Sequence, residues 1–107
     1  MGYRSDVCLR VEPHVVEVID AAKMMCDDLR AAFANAVING NSNCTDFRWD
    51  SVKWYDGYKD VDAVMSLLHS LPDEDYGMIR IGEEVGDVEY YGEPSEFDMY
   101  VNQCIEW

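Results

Sequence analysis

From Asp6 to Glu12 the chain alternates, with Val7, Leu9 and Val11 on one face and Cys8 and Arg10 on the other, which predicts a half-buried strand. Pro13 then suits the first turn of a helix, where a missing N–H costs nothing. Val15, Ile19, Ala22, Cys26, Leu29, Phe33 and Val37 recur at helical spacing, while Glu17, Asp20, Lys23, Asp27 and Arg30 take other faces. A single long amphipathic helix is expected there. Asn39-Gly40-Asn41 should end it, with Gly40 placed to adopt a left-handed cap.

Phe47 and Trp49 alternate with Asp46, Arg48 and Asp50, and Val52 and Trp54 carry the apolar face onward after a one-residue slip near Asp50-Ser51. One strand with a bulge accounts for the slip, as do two short strands. Asp56-Gly57 turns the chain, and Asp60 is placed to cap a second helix through Val61, Val64, Met65, Leu68 and Leu71, which Pro72 stops. Three further strands are predicted, at Met78 to Ile81, Val88 to Tyr91 and Met99 to Trp107, with a hairpin at Gly82 to Gly86 and a turn at Gly92-Glu93-Pro94. The order β-α-β-α-β-β-β predicts one α+β domain over residues 1–107, with two helices packed on one face of a mainly antiparallel sheet. The first crossover should be a right-handed βαβ unit.

Charge changes this picture more than any motif does. The 107 residues carry 22 acids against 8 Lys and Arg, a formal net charge of −14. Residues 1–55 hold 8 acids and 6 bases, whereas residues 56–107 hold 14 acids and 2 bases. Such a balance repels nucleic acid and anionic membrane and attracts cationic surfaces. The densest stretch, from Asp73 to Asp98, has ten acids with Arg80 alone in opposition. Strand alternation sets Glu89 and Tyr91 opposite Val88 and Tyr90, so the carboxylates are expected to project outward together. Either these are ordinary solvated acidic loops, or they are a docking surface for a basic partner. The second reading assigns partner binding to Asp73, Glu74, Asp75, Glu83, Glu84, Asp87, Glu89, Tyr91, Glu93, Glu96 and Asp98, with tyrosines supplying contact area.

Catalytic sets are absent from the sequence. His14 and His69 are the two histidines, each beside or within a helix, and read as surface or capping residues. No phosphate-cradling Gly-rich loop, zinc-protease or serine-hydrolase motif occurs. No cofactor or metal site is expected, since the acidic clusters lack the spaced ligands of an EF-hand. Trp49, Trp54, Tyr55 and Tyr58 lack the basic neighbours of a nucleic-acid stacking platform. Cys8, Cys26, Cys44 and Cys104 show no Cys-x-x-Cys pair, and no signal peptide or membrane-length apolar run appears, so a reducing cytoplasm is expected.

Three segments carry a resemblance. Met1-Gly2-Tyr3-Arg4-Ser5-Asp6-Val7, Val52-Lys53-Trp54-Tyr55-Asp56 with Tyr58 and Asp60-Val61-Asp62-Ala63, and Arg80-Ile81-Gly82-Glu83-Glu84 with Gly86-Asp87-Val88-Glu89 are similar to a group of small bacteriophage and prophage proteins. That resemblance implies provenance in a bacterial host cell and brings no established shared activity with it. Its implied function is an inhibitor of a host protein, an anti-CRISPR or other anti-defence factor, that blocks a basic nucleic-acid-binding surface such as that of a CRISPR effector. An enzyme with a carboxylate site, built for instance from Asp6, Asp56 and Glu83, is the alternative. A third reading is a homodimer or other self-assembling module paired through the C-terminal strand.

Overall fold

The computed structural model describes residues 4–40, 44–55, 57–84, 86–97, 99–101 and 105–106. Strand β1 (Ser5–Val11) leads into helix α1 (Pro13–Met25) and helix α2 (Asp27–Ala34), followed by strands β2 (Val37–Gly40) and β3 (Thr45–Val52). Helix α3 (Lys59–His69) and a 3-10 turn (Asp73–Asp75) precede strands β4 (Tyr76–Ile81) and β5 (Val88–Gly92). A second 3-10 turn (Pro94–Phe97) leads to the short strands β6 (Tyr100–Val101) and β7 (Ile105–Glu106). Five strands form one sheet in the order β2-β3-β1-β4-β5, and every neighbouring pair is antiparallel. The α+β class and antiparallel sheet are as expected. β1 and β2 run parallel with β3 between them, and β3 and β4 run parallel with β1 between them. This is the split βαβ connectivity, β-α-β-β-α-β, extended by β5.

The expected long helix is corrected to two helices and a strand. Unbroken from Pro13 to Val37 it would run about 38 Å, well beyond the roughly 25 Å that a seven- or eight-residue strand spans. The chain instead breaks at Cys26, which is extended (φ −137°, ψ 112°), and restarts with Asp27 and Asp28 in the first turn of α2. Negative side chains there suit the helix dipole. The break lets Leu29, Ala32 and Phe33 turn onto the sheet. The Trp49 indole donates to the Ala32 carbonyl at 2.9 Å, and Phe33 packs edge-on against Phe47 with centroids 5.0 Å apart. Val37 and Ile38, both β-branched, leave the helical path and pair with Arg48 and Phe47 of β3. Gly40 therefore lies in a strand and caps nothing.

Three helices, not two, pack against Val7, Leu9, Val11, Phe47, Trp49, Tyr76 and Met78 on one face of the sheet. α3 begins one residue before Asp60, with Tyr58 at the cap position and Asp60 and Asp62 in its first turn. The slip at Asp50-Ser51 is a bulge within one strand. Ser5 pairs with Val52 and Val7 with Trp49, so β3 carries an extra residue, and Ser51 takes a positive φ of 53°. Asp6 accepts from the Ser51 N–H at 2.8 Å, and the Arg4 side chain donates to the Ser51 carbonyl at 2.9 Å.

The far face of the sheet is covered by the segment after β5. Cys8 and Ile79 meet Cys44, Phe97 and Met99 there. Arg10 grips Asp46 at 2.6 and 3.2 Å and donates to the Phe97 carbonyl at 2.6 Å. The expected single C-terminal strand is instead the separate pair β6-β7, with Trp107 outside the described residues. The polar Asn102-Gln103 interrupts its apolar pattern, and β2 and β5 hold the two edges of the main sheet.

Two outcomes follow from this covering. A Cβ at Gly77 would stand 2.7 Å from the Pro94 Cα, so Gly77→Ala should lower stability in urea denaturation by about 1–3 kcal/mol, as overpacking does. An unchanged midpoint would mean that the Pro94 backbone does not cross there. Burial pushes the Cys8 thiol from 9.0 up to about 12. The folded state thus holds this proton more tightly than the unfolded chain, and stability should fall as pH rises from 9.0 towards about 12. Comparing alkaline unfolding of the wild type and Cys8→Ala checks this, since the variant should show a shallower loss.

Candidate functional site

On the helix-bearing face of the sheet the apolar rungs stop one rung short of the β4–β5 hairpin. Met78 stands between Leu9 and Tyr91, but the next rung sets Arg80 between Val7 and Glu89. A guanidinium is thereby carried to the edge of the core, where Arg80 is 8% exposed. Its Nε donates to Glu89, Nη1 donates to the Ser5 hydroxyl at 2.8 Å, and Nη2 donates to Asp87 at 2.7 Å. The Tyr91 hydroxyl donates to the second oxygen of Glu89 at 2.8 Å. Burial works against the charge on Arg80, but the hydrogen bonds to Asp87 and Glu89 outweigh it and leave its pKa raised.

Above this network the space between α3, the β4–β5 hairpin and residues 53–55 forms an open cleft of about 750 Å³. α3 contributes Asp62, Ser66 and His69, which spacings of four and three residues align on one face, together with Met65. Trp54 and Tyr55 form another wall, and Tyr91 lines the cleft from β5. The Trp54 ring leans on Trp49 at 5.2 Å, and Tyr55 meets Tyr58 edge-on at 5.2 Å. Asp62 accepts from the Gly57 N–H at 3.1 Å. Among the described lining residues Asp62, Asp87 and Glu89 outnumber Arg80, so these carboxylates and the guanidinium sum to a formal charge of −2.

The acids expected to form one surface fall into two groups at opposite ends of β4, roughly 17 Å apart along the strand. At the hairpin end lie Glu83, Glu84, Asp87, Glu89 and Tyr91. Glu83 accepts from the Arg4 N–H at 3.2 Å, while Asp87 and Glu89 turn to Arg80. Glu89 and Tyr91 do lie opposite Val88 and Tyr90, but their face is the one that carries the helices, so Glu89 meets Arg80 instead of projecting freely. At the other end lie Asp73, Glu74, Asp75, Glu93 and Glu96. Glu74, Glu93 and Glu96 join Glu12 and Phe97 around a shallow depression of about 360 Å³, and Asp75 meets His14 at 3.2 Å. Asp98 lies outside the described residues.

Trp54, Tyr55, Asp62, Ser66 and His69 were not among the expected site residues. The signal for Arg80 was its isolation among ten acids, and the signal for the α3 residues was their spacing. Of the residues named for a carboxylate enzyme, Asp6 and Glu83 line one small depression, where backbone N–H groups of Ser51 and Arg4 occupy them. Asp56 lies outside the described residues. Among the described residues no three His, Cys, Asp or Glu side chains gather to hold a metal.

The chain matches no family model, no curated protein and no solved structure. The site therefore has to be read from its own chemistry. Arg80→Met should lower stability by about 1–3 kcal/mol, less than for a fully buried pair, because Asp87 and Glu89 keep 33% and 48% side-chain exposure. Urea denaturation measures this. An unchanged stability would show that the network does not anchor the hairpin.

Proposed function

We propose that this is an acidic binding protein whose hairpin-end cleft docks on a basic surface of another protein. The reading rests on one observation. The single arginine of the acidic half is consumed inside its own network, while an anionic cleft walled by aromatic rings stays open beside it. Aromatic contact area beside carboxylates is the chemistry of protein recognition, and the excess charge favours cationic partners. A surface that normally holds nucleic acid meets this description, since it offers arginine and lysine in place of phosphate counterions. We propose further that the protein acts as a phage-encoded inhibitor of such a host protein, an anti-CRISPR factor being one form, in the host cytoplasm. No described helix is long and apolar enough to cross a membrane.

The test is capture of partners from bacterial lysate by tagged protein, washed at low and then high salt. Asp62→Lys, Glu83→Lys and Glu84→Lys together should abolish capture of a basic, nucleic-acid-binding partner, with circular dichroism checking the fold because Asp62 and Glu83 each accept one exposed backbone hydrogen bond. Asp87 and Glu89 are spared because reversing them would break the Arg80 network. Capture that survives both salt and the triple variant would overturn the reading.

A further inference from the structure

We infer that the cleft between α3 and the β4–β5 hairpin is a receptor for one arginine side chain projecting from the partner, an inference that rests on the docking reading and names what enters. Charge excludes the opposite class of ligand. Arg80 makes four hydrogen bonds, to Ser5, Asp87 and Glu89, so a phosphate or carboxylate would have to displace carboxylates already seated. The formal charge of −2 summed over those carboxylates and the guanidinium calls for a cation.

Shape and ring placement choose among cations. A guanidinium is flat, stacks on aromatic faces and pairs with carboxylates through two parallel N–H donors, whereas an ammonium is a compact, strongly hydrated point charge. Trp54, Tyr55 and Tyr91 line the cleft, and each ring has a further contact, with Trp49, Tyr58 and Glu89 respectively. Rings already fixed lose little freedom when a ligand arrives. Asp62 faces the rings from α3, held by the Gly57 N–H. The same wall already holds one guanidinium, that of Arg80, in its inner half, and the outer half is lined by a further carboxylate, Asp62, with Trp54 and Tyr55.

The probe is the peptide acetyl-Gly-Arg-Gly-amide, compared with its lysine and citrulline counterparts by NMR titration of the full chain. The arginine peptide should shift the Trp54 indole N–H and the amides from Asp62 to Ser66 and from Asp87 to Tyr91. The lysine peptide should bind roughly threefold more weakly or worse, and the neutral citrulline peptide should leave these signals in place. Asp62→Asn, which keeps an acceptor for the Gly57 N–H, should weaken the arginine peptide by about threefold. Tyr55→Leu, a second variant that keeps apolar bulk but removes the ring, should weaken it as well. Equal binding of arginine and lysine peptides, shifts spread over Glu74, Glu93 and Glu96, or no shift at all would each overturn the inference. None of these touches the docking reading, which the salt-washed capture and the triple lysine variant decide independently.

Discussion

The central strand β1, hydrogen-bonded to β3 on one side and to β4 on the other, carries buried residues on both of its faces, and most of the architecture serves to cover them. Val7, Leu9 and Val11 are all fully buried beneath the helices. Their neighbours Cys8 and Arg10 point the other way, where Phe97 of the second 3-10 turn packs and no described α-helix lies. Arg10 keeps 13% side-chain exposure, and an arginine so largely withdrawn from water is costly unless it is paired and hydrogen-bonded. Arg10 meets the condition through Asp46 and the Phe97 carbonyl, and so fixes the segment after β5 across the far face. Gly77 is the gap through which that segment passes. The Cys8 thiol is sealed beneath it, and its raised pKa records the sealing.

Arg80 solves a similar problem at the open end of the sheet with a different result. It follows Met78 on the helix-bearing face, where a third apolar residue would simply have extended the core. A charged rung there needs anions, and β5 and the hairpin provide them in Glu89 and Asp87. The core therefore stops at Val7 and Met78, and the volume that another apolar layer would have filled is left as the cleft. The polar stripe of α3, from Asp62 to His69, is the helix's counterpart to that stop. The site is thus a consequence of where apolar packing ends.

Much of this was legible from alternation and spacing. The period of two located β1, β3, β4 and β5, and the phase slip located the bulge at Ser51. The long helix was not legible as two, because spacings of three and four residues continue across Cys26 and carry the same apolar phase into α2. What breaks the helix is the size of the sheet it must cover, which is a property of the folded molecule. Val37 and Ile38 fit either period, and only the partner strand β3 decides between them. For the site, alternation separated Glu89 and Tyr91 from Val88 and Tyr90 correctly. It carried no information on which face the helices would take, and so left the pairing of Glu89 with Arg80 out of reach.

The division of the acidic half bears on how a partner would be met. At physiological ionic strength charges are screened over about 8 Å, and the two acidic groups lie roughly 17 Å apart along β4. They therefore act separately at close range. The group around Glu74, Glu93 and Glu96 has Phe97 at its margin but no cleft of comparable size, so on the proposed reading it would contribute only long-range attraction that salt removes. The hairpin group stands beside aromatic rings and the larger open cleft, so a partner seated there would add apolar contact to ion pairing. On the proposed docking reading, attraction at one end and recognition at the other would make the approach of a partner salt-sensitive and its seated contact less so. The Arg80 network makes this arrangement tolerable, because it pairs the two carboxylates nearest the core with one guanidinium and halves their charge.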